Sequence, residues 1–182
     1  MFDFLEADWK PVSLPALAGW LIFYAGFLLY LFANRADFVL VDNVNLVVHE
    51  AGHLLFGWAG EIIGVWGGTL LQWLVPLLLA GFFFTQRQTA GFVFCLFFFF
   101  ENWVYTARYM ADARALALPL VTVGDPESGI HDWNFIFSRM GLLPYDTRIA
   151  GFVRACGWLG MLAAVAWLVH RYRQDRASPA AL

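Results

Sequence analysis

Five long apolar segments occupy most of this chain, and they constrain its fold more than any other feature. They cover residues 14–33, 44–63, 65–84, 90–118 and 149–170. A helix of about 20 apolar residues crosses the hydrocarbon core of a bilayer. Since 61% of the residues are hydrophobic and only 14% are charged, a soluble domain of this length could not bury so much apolar surface. The sequence therefore predicts one all-α integral membrane domain over residues 1–182, a polytopic bundle of about five transmembrane segments surrounded by lipid.

The connections between these segments differ strongly in length. The third and fourth segments are separated only by a short turn around TQRQT, which predicts an antiparallel hairpin. The one substantial polar region, residues 119–148, contains Gly124, Pro126 and Gly129, and these residues indicate a loop. The stretch WNFIFSRMGLL within it predicts a short amphipathic helix at the membrane interface.

The charged residues bear on orientation and on partners. Arg171, Arg173 and Arg176 follow the last apolar segment, and by the positive-inside rule they place the C-terminus in the cytoplasm. Five crossings would then put the acidic start of the chain on the opposite side. If the second segment only dips into the membrane, the number of crossings changes and this assignment of the N-terminus fails. The net charge of −3 and the lack of a basic cluster exclude a nucleic-acid partner. Cys95 and Cys156 lie in apolar segments, where we expect buried thiols and not a disulfide framework.

The second apolar segment carries ionisable residues in the pattern HExxH. His49 and His53 are four residues apart, so on a helix both imidazoles face one ion, and a tetrahedral zinc ion accepts two such nitrogens, a third protein ligand and a water. Glu50 lies about 100° round the helix from His49, where it can take a proton from that water. Asn45 is one turn before His49 on the same face and could bind a substrate carbonyl or support the ligands.

The third metal ligand has two candidates. The fourth segment carries a polar stripe at helical spacing, which should face the bundle interior; its members are Glu101, Tyr105, Arg108 and Asp112. Asp112 is the first candidate, with Arg108 one turn away as its partner.

The second candidate is His131, which begins the tripeptide His131-Asp132-Trp133 at the end of the polar loop. In that arrangement Asp132 would orient an imidazole and Trp133 would anchor the turn at the interface. The spacing does not choose between Asp112 and His131.

Three alternatives compete with a zinc hydrolase. A purely structural polar cluster is disfavoured because ionisable groups within a membrane are costly and tend to be functional. A di-iron oxidase would need more ligands, yet outside the motif only His131 and His170 remain as histidines, and no second Glu-x-x-His exists. A non-enzymatic membrane protein that binds or assembles metal would need the histidines but would not need Glu50 as a base.

The motif HEAGH on an apolar helix, followed by the glycine-rich GVWGGTLLQWLVPL, resembles the intramembrane zinc metalloproteases of the site-2 protease class over about residues 43–115. That resemblance implies hydrolysis of peptide bonds in membrane or membrane-proximal substrates. In that class the third ligand is an aspartate in an Asp-Gly motif on a later helix, whereas here Asp112 precedes Ala113. The stretches YMADARALALPL and GIHDWNFIFSRMGLL also look like those of small bacterial membrane proteins that share an HExxH helix, which implies a bacterial inner membrane.

Overall fold

The structure, a computed structural model, describes residues 8–34, 38–120 and 130–177, and the regular secondary structure of these residues is helical. The helices are α1 (Leu14–Ala33), α2 (Asp42–Phe56), α3 (Glu61–Thr85), α4 (Thr89–Ala111), α5 (Asp132–Met140) and α6 (Asp146–Ala177). Single 3₁₀ turns lie at Gly57–Ala59 and Leu143–Tyr145. These described residues contain no β-strand, so the predicted all-α fold is confirmed.

Among the described residues, four helical stretches are long and apolar enough to cross a membrane. They are α1, α3, α4 and Leu143–Ala177, which contains α6. They correspond to four of the five predicted segments, and they identify the chain as an integral membrane protein.

The remaining predicted segment, residues 44–63, is divided between two helices. Helix α2 has 15 residues, about 22 Å at 1.5 Å per residue, which is less than the roughly 30 Å of a hydrocarbon core. It ends at Gly57, and Gly60 adopts φ +107°. Glycine tolerates that conformation and side-chain-bearing residues rarely do, so the chain breaks here and restarts as α3.

Two compact units emerge from the packing. The first comprises Met1–Val39, Pro76–Phe99 and Leu159–Leu182. Its described core is aromatic: the rings of Tyr24 and Phe97 lie 4.7 Å apart, and those of Trp9 and Trp167 lie 4.8 Å apart. Aromatic pairs at such distances add to the energy of burial.

The second unit comprises Leu40–Val75 and Phe100–Trp158 and contains α2 and α5. The helix predicted from WNFIFSRMGLL is confirmed as α5, which begins after an N-cap at His131 and ends at Gly141 with φ +68°. Its buried residues Trp133, Ile136 and Phe137 pack in one cluster with Met110 of α4. This packing fixes the start of α5, which carries Asp132.

Candidate metal centre

Helix α2 buries its polar face. Its buried residues are Asp42, Asn45, His49 and Gly52, a spacing of three or four residues that places them on one side of the helix. Glu50 and His53 lie at the margin of this face and are half-buried. The motif is therefore presented to neighbouring helices and not to solvent.

Two imidazoles of α2 meet one carboxylate oxygen of α5. The Nε2 atom of His49 lies 2.8 Å from Oδ2 of Asp132, and Nε2 of His53 lies 3.2 Å from the same oxygen. The two rings are 4.8 Å apart between centroids. Asp132 is the first residue of α5 and is buried, so this meeting depends on where α5 docks.

The opposite nitrogen of each imidazole faces a carbonyl oxygen. Nδ1 of His49 is 3.0 Å from Oε1 of Gln72, and Nδ1 of His53 is 2.8 Å from the carbonyl oxygen of Gly64. The amide of Gln72 is oriented by its Nε2, which donates to Oγ1 of Thr106. Because carbonyl oxygens only accept hydrogen bonds, each Nδ1 carries a proton. The Nε2 lone pairs therefore point to Asp132, the arrangement in which proteins present histidines to metals.

The two imidazoles can pack closely against α3 because residue 68 is glycine. A Cβ atom at Gly68 would lie 2.6 Å from Nε2 of His49 and 2.7 Å from Nε2 of His53. Both distances are shorter than van der Waals contact. Any larger residue here would push the imidazoles away from these positions.

Two sets of residues could hold a metal ion. Ligand atoms of His49, Glu50 and His53 lie within 4.8 Å of one another. In the set of His49, His53 and Asp132, both imidazoles lie within 2.8 and 3.2 Å of one carboxylate oxygen. In the second set, Glu50 lies beside the three residues and not among them.

The charge state of Asp132 suits a ligand. Burial raises the pKa of its carboxyl, but the His49 and His53 imidazoles, when protonated, lower it by more through hydrogen bonds and electrostatic attraction, so the pKa lies below its ordinary value. Asp132 is a carboxylate at neutral pH. The pKa of His131 is also lowered, by burial that outweighs the attraction of Asp112, so His131 is neutral.

Asp112 and His131, the two third-ligand candidates, contact each other and not the histidine pair. The carboxylate of Asp112 accepts hydrogen bonds from the backbone N–H groups of Ala117 and Leu118, both at 3.0 Å. Nε2 of His131 lies 3.4 Å from Asp112, and its Nδ1 accepts from the N–H of Asn134. Asp112 thus closes the turn after α4, while His131 caps α5. The structure brings Asp132 to His49 and His53 instead.

The polar stripe of α4 meets the buried face of α2. Nδ2 of Asn45 donates to Oε2 of Glu101 at 2.9 Å, and Nη1 of Arg108 lies 3.6 Å from the carboxylate of Asp42. Tyr105 is half-buried on the same stripe. Asn45 and Arg108 therefore hold α2 against α4, and Arg108 pairs with Asp42, not with Asp112 as the sequence predicted.

Three supporting residues were not anticipated from the sequence. Gln72 contacts Nδ1 of His49, and Gly68 allows both imidazoles to pack against α3. The hydroxyl of Tyr109 accepts a hydrogen bond from the backbone N–H of Asp132 at 3.1 Å. Only Gln72 carried a signal, as a lone amide in the apolar stretch LLQWL; a glutamine within a membrane helix usually has a polar partner.

Comparisons with protein-family models, with curated proteins and with solved structures gave no match. The resemblance to site-2 proteases therefore stays a prediction that depends on the HExxH helix.

The close contact between Gly68 and the two imidazoles predicts a loss of stability on substitution. In Gly68→Ala the new methyl group must push both imidazoles away, and such overpacking typically costs about 1–3 kcal/mol. Gly81→Ala in the same helix is the control, because a Cβ at Gly81 meets no atom within 4 Å and alanine favours helix. Thermal unfolding in detergent should show a lower midpoint for Gly68→Ala than for Gly81→Ala. Equal midpoints would contradict the geometry described for His49 and His53.

Proposed function

We propose that this protein is a zinc-dependent hydrolase of the membrane, in which His49, His53 and Asp132 hold the ion and Glu50 is the general base. The convergence of both Nε2 atoms on one oxygen of Asp132 carries this proposal. Three acceptor atoms that meet in a buried site repel one another unless a proton or a cation lies between them.

The donor set fits zinc. Catalytic zinc sites use three protein ligands drawn from histidine and carboxylate, and they leave one position open for water or substrate. His49, His53 and Asp132 supply two imidazole nitrogens and a carboxylate. Gln72 and the backbone of Gly64 hold the imidazoles in the required tautomer.

Glu50 suits the role of base because its carboxylate is uncommitted. It is half-buried beside the histidines, and among the described residues it takes part in no hydrogen bond or ion pair. Zinc, when bound, polarises water and a substrate carbonyl. Glu50 then accepts the proton of the water that adds to the carbonyl carbon. As the C–N bond breaks, Glu50 passes this proton to the leaving amine.

The expected substrates are peptide bonds of membrane or membrane-proximal proteins, as the resemblance to site-2 proteases implies. The arginines of the tail, Arg171, Arg173 and Arg176, support a cytoplasmic C-terminus, in our proposal at a bacterial inner membrane. A non-enzymatic metal-binding protein is the alternative, and it differs in having no need of the Glu50 carboxylate.

Metal content separates the three candidates for the third ligand. The purified protein should retain about one zinc ion per chain after dialysis. His49→Ala, His53→Ala and Asp132→Ala should each lose it, because two remaining protein ligands hold zinc weakly. Elemental analysis of each variant gives the result directly.

Matched controls are Asp112→Asn and His131→Asn, which should keep zinc because neither side chain reaches the histidine pair. Asparagine is also a good N-cap, so His131→Asn preserves the start of α5. Full zinc in Asp132→Ala together with loss in either control would overturn the proposed ligand set. Circular dichroism of each variant confirms that the helices are intact.

The variant Glu50→Gln separates an enzyme from a metal-binding protein. It should keep zinc while cleavage falls about 10²–10⁴-fold, the usual contribution of a general base. Membrane proteins from cells that express wild-type or variant protein would be compared for fragments that depend on Glu50. The control is Glu61→Gln, at a largely exposed glutamate that pairs with Arg139. If no fragment depends on Glu50, the hydrolase proposal fails and metal binding without catalysis is the better account.

A further inference from the structure

The outer face of α2 is apolar, whereas the outer face of a helix that borders water is polar. Its exposed hydrophobic residues, with their exposed fractions, are Val44 (62%), Val47 (70%), Leu54 (66%) and Leu55 (53%), followed by Trp58 (86%) in the 3₁₀ turn. The buried face carries Asp42, Asn45 and His49. A water-soluble protein turns the apolar side of a surface helix inward, so the polarity of α2 indicates an apolar solvent.

Helix directions show that α2 joins two span ends on the same side. Trp20 of α1 contacts Phe94 of α4, and further along both helices Phe27 contacts Phe98. Because the residue numbers increase in the same direction on both helices, α1 and α4 are parallel. Helices α3 and α4 form a hairpin across a three-residue turn, in which Phe84 contacts Phe92. Since α1 is parallel to α4 and α3 is antiparallel to it, α1 and α3 run in opposite directions. The segment between them starts and ends on one side.

We propose that α2 is a re-entrant helix, which enters the bilayer with its outer face against lipid acyl chains and returns without crossing. Its 15 residues reach only part of the way through a hydrocarbon core. The exposed arc of α2 bears no charged residue, as expected for contact with lipid. Trp58 at the turn suits the interface, where tryptophan is enriched.

Lipid is the occupant we commit to because this face continues a surface of the same character. In the same unit, Ile62 and Ile63 at the start of α3 are also exposed. In this arrangement the connections α1–α3 and α4–α6 lie on the same side, so the chain crosses four times. The start of α1 and the end of α6 then face the same side of the membrane, whereas five crossings would place them on opposite sides.

The contact of α2 with lipid would open a route from the bilayer to the candidate metal centre. Glu50 and His53 lie between the buried face and the lipid-facing arc, and the side chain of His53 is 28% exposed. A substrate that reaches this edge from the bilayer passes Val47 and Leu54. The lipid contact of α2 stands without the proposed function, and only this route for a membrane-embedded substrate rests on it.

Spin-label accessibility tests the lipid contact. Single cysteines replace Val47 and Leu54 in a background with Cys95→Ala and Cys156→Ala, and the labelled protein is placed in phosphatidylcholine–phosphatidylglycerol vesicles. Labels at Ile22, exposed on α1, and at Arg173, in the polar tail, are the lipid and water references. We expect the ratio of oxygen to nickel-chelate accessibility at Val47 and Leu54 to match Ile22 and to exceed Arg173 several-fold.

A ratio equal to that of Arg173 would overturn the proposal in favour of water. Low accessibility to both reagents with spin–spin broadening would overturn it in favour of a second copy of the chain. The re-entrant path is tested with Asn43→Cys, in the first turn of α2, and Glu61→Cys, at the start of α3. A membrane-impermeant maleimide should label both from the same side of the vesicle, and labelling from opposite sides would show that α2 crosses. Neither readout depends on zinc or activity.

Discussion

Asp132 Oδ2 and the Nε2 atoms of His49 and His53 form the contact on which the rest of this unit depends. When each imidazole carries its proton on Nδ1, all three atoms are hydrogen-bond acceptors. The side chains of His49 and Asp132 are buried. Removing such groups from water without a positive partner is costly. The surrounding structure restrains them nonetheless: Tyr109 binds the backbone of Asp132, and Nδ2 of Asn134 donates to the carbonyl oxygen of Ala113 at 2.8 Å. We take this restraint as preparation for a cation.

The close approach of α2 and α3 is a second constraint, and it depends on glycine. A Cβ atom at Gly52 would collide with the carbonyl oxygen of Gly67, so the two backbones touch where small residues allow it. This approach brings Gly64 within reach of His53 and Gln72 within reach of His49. The glycine-rich stretch GVWGG therefore shapes the site as directly as the HExxH motif does.

The parts of this site that are set by residue spacing within one helix could be predicted from the sequence. The parts that depend on how distant helices pack together could not. The i,i+4 spacing of His49 and His53 is a property of any helix, so their shared face followed from the sequence. The partner Asp132 is 83 residues from His49 along the chain, and its position depends on how α5 packs. Sequence spacing offered Asp112 and His131 equally and assigned Asp132 only an orienting role. Similarly, the apolar spans were evident, whereas the break at Gly57–Gly60 was hidden in a hydrophobic run, although two glycines marked it.

Diffraction from crystals of the purified protein, recorded on both sides of the zinc absorption edge, tests the ligand set most directly. The account predicts one anomalous peak within about 2.0–2.2 Å of Nε2 of His49, Nε2 of His53 and a carboxylate oxygen of Asp132. Glu50 should lie beside the peak without binding it. A zinc ion held by Asp112 or His131, or direct coordination by Glu50, would contradict the account.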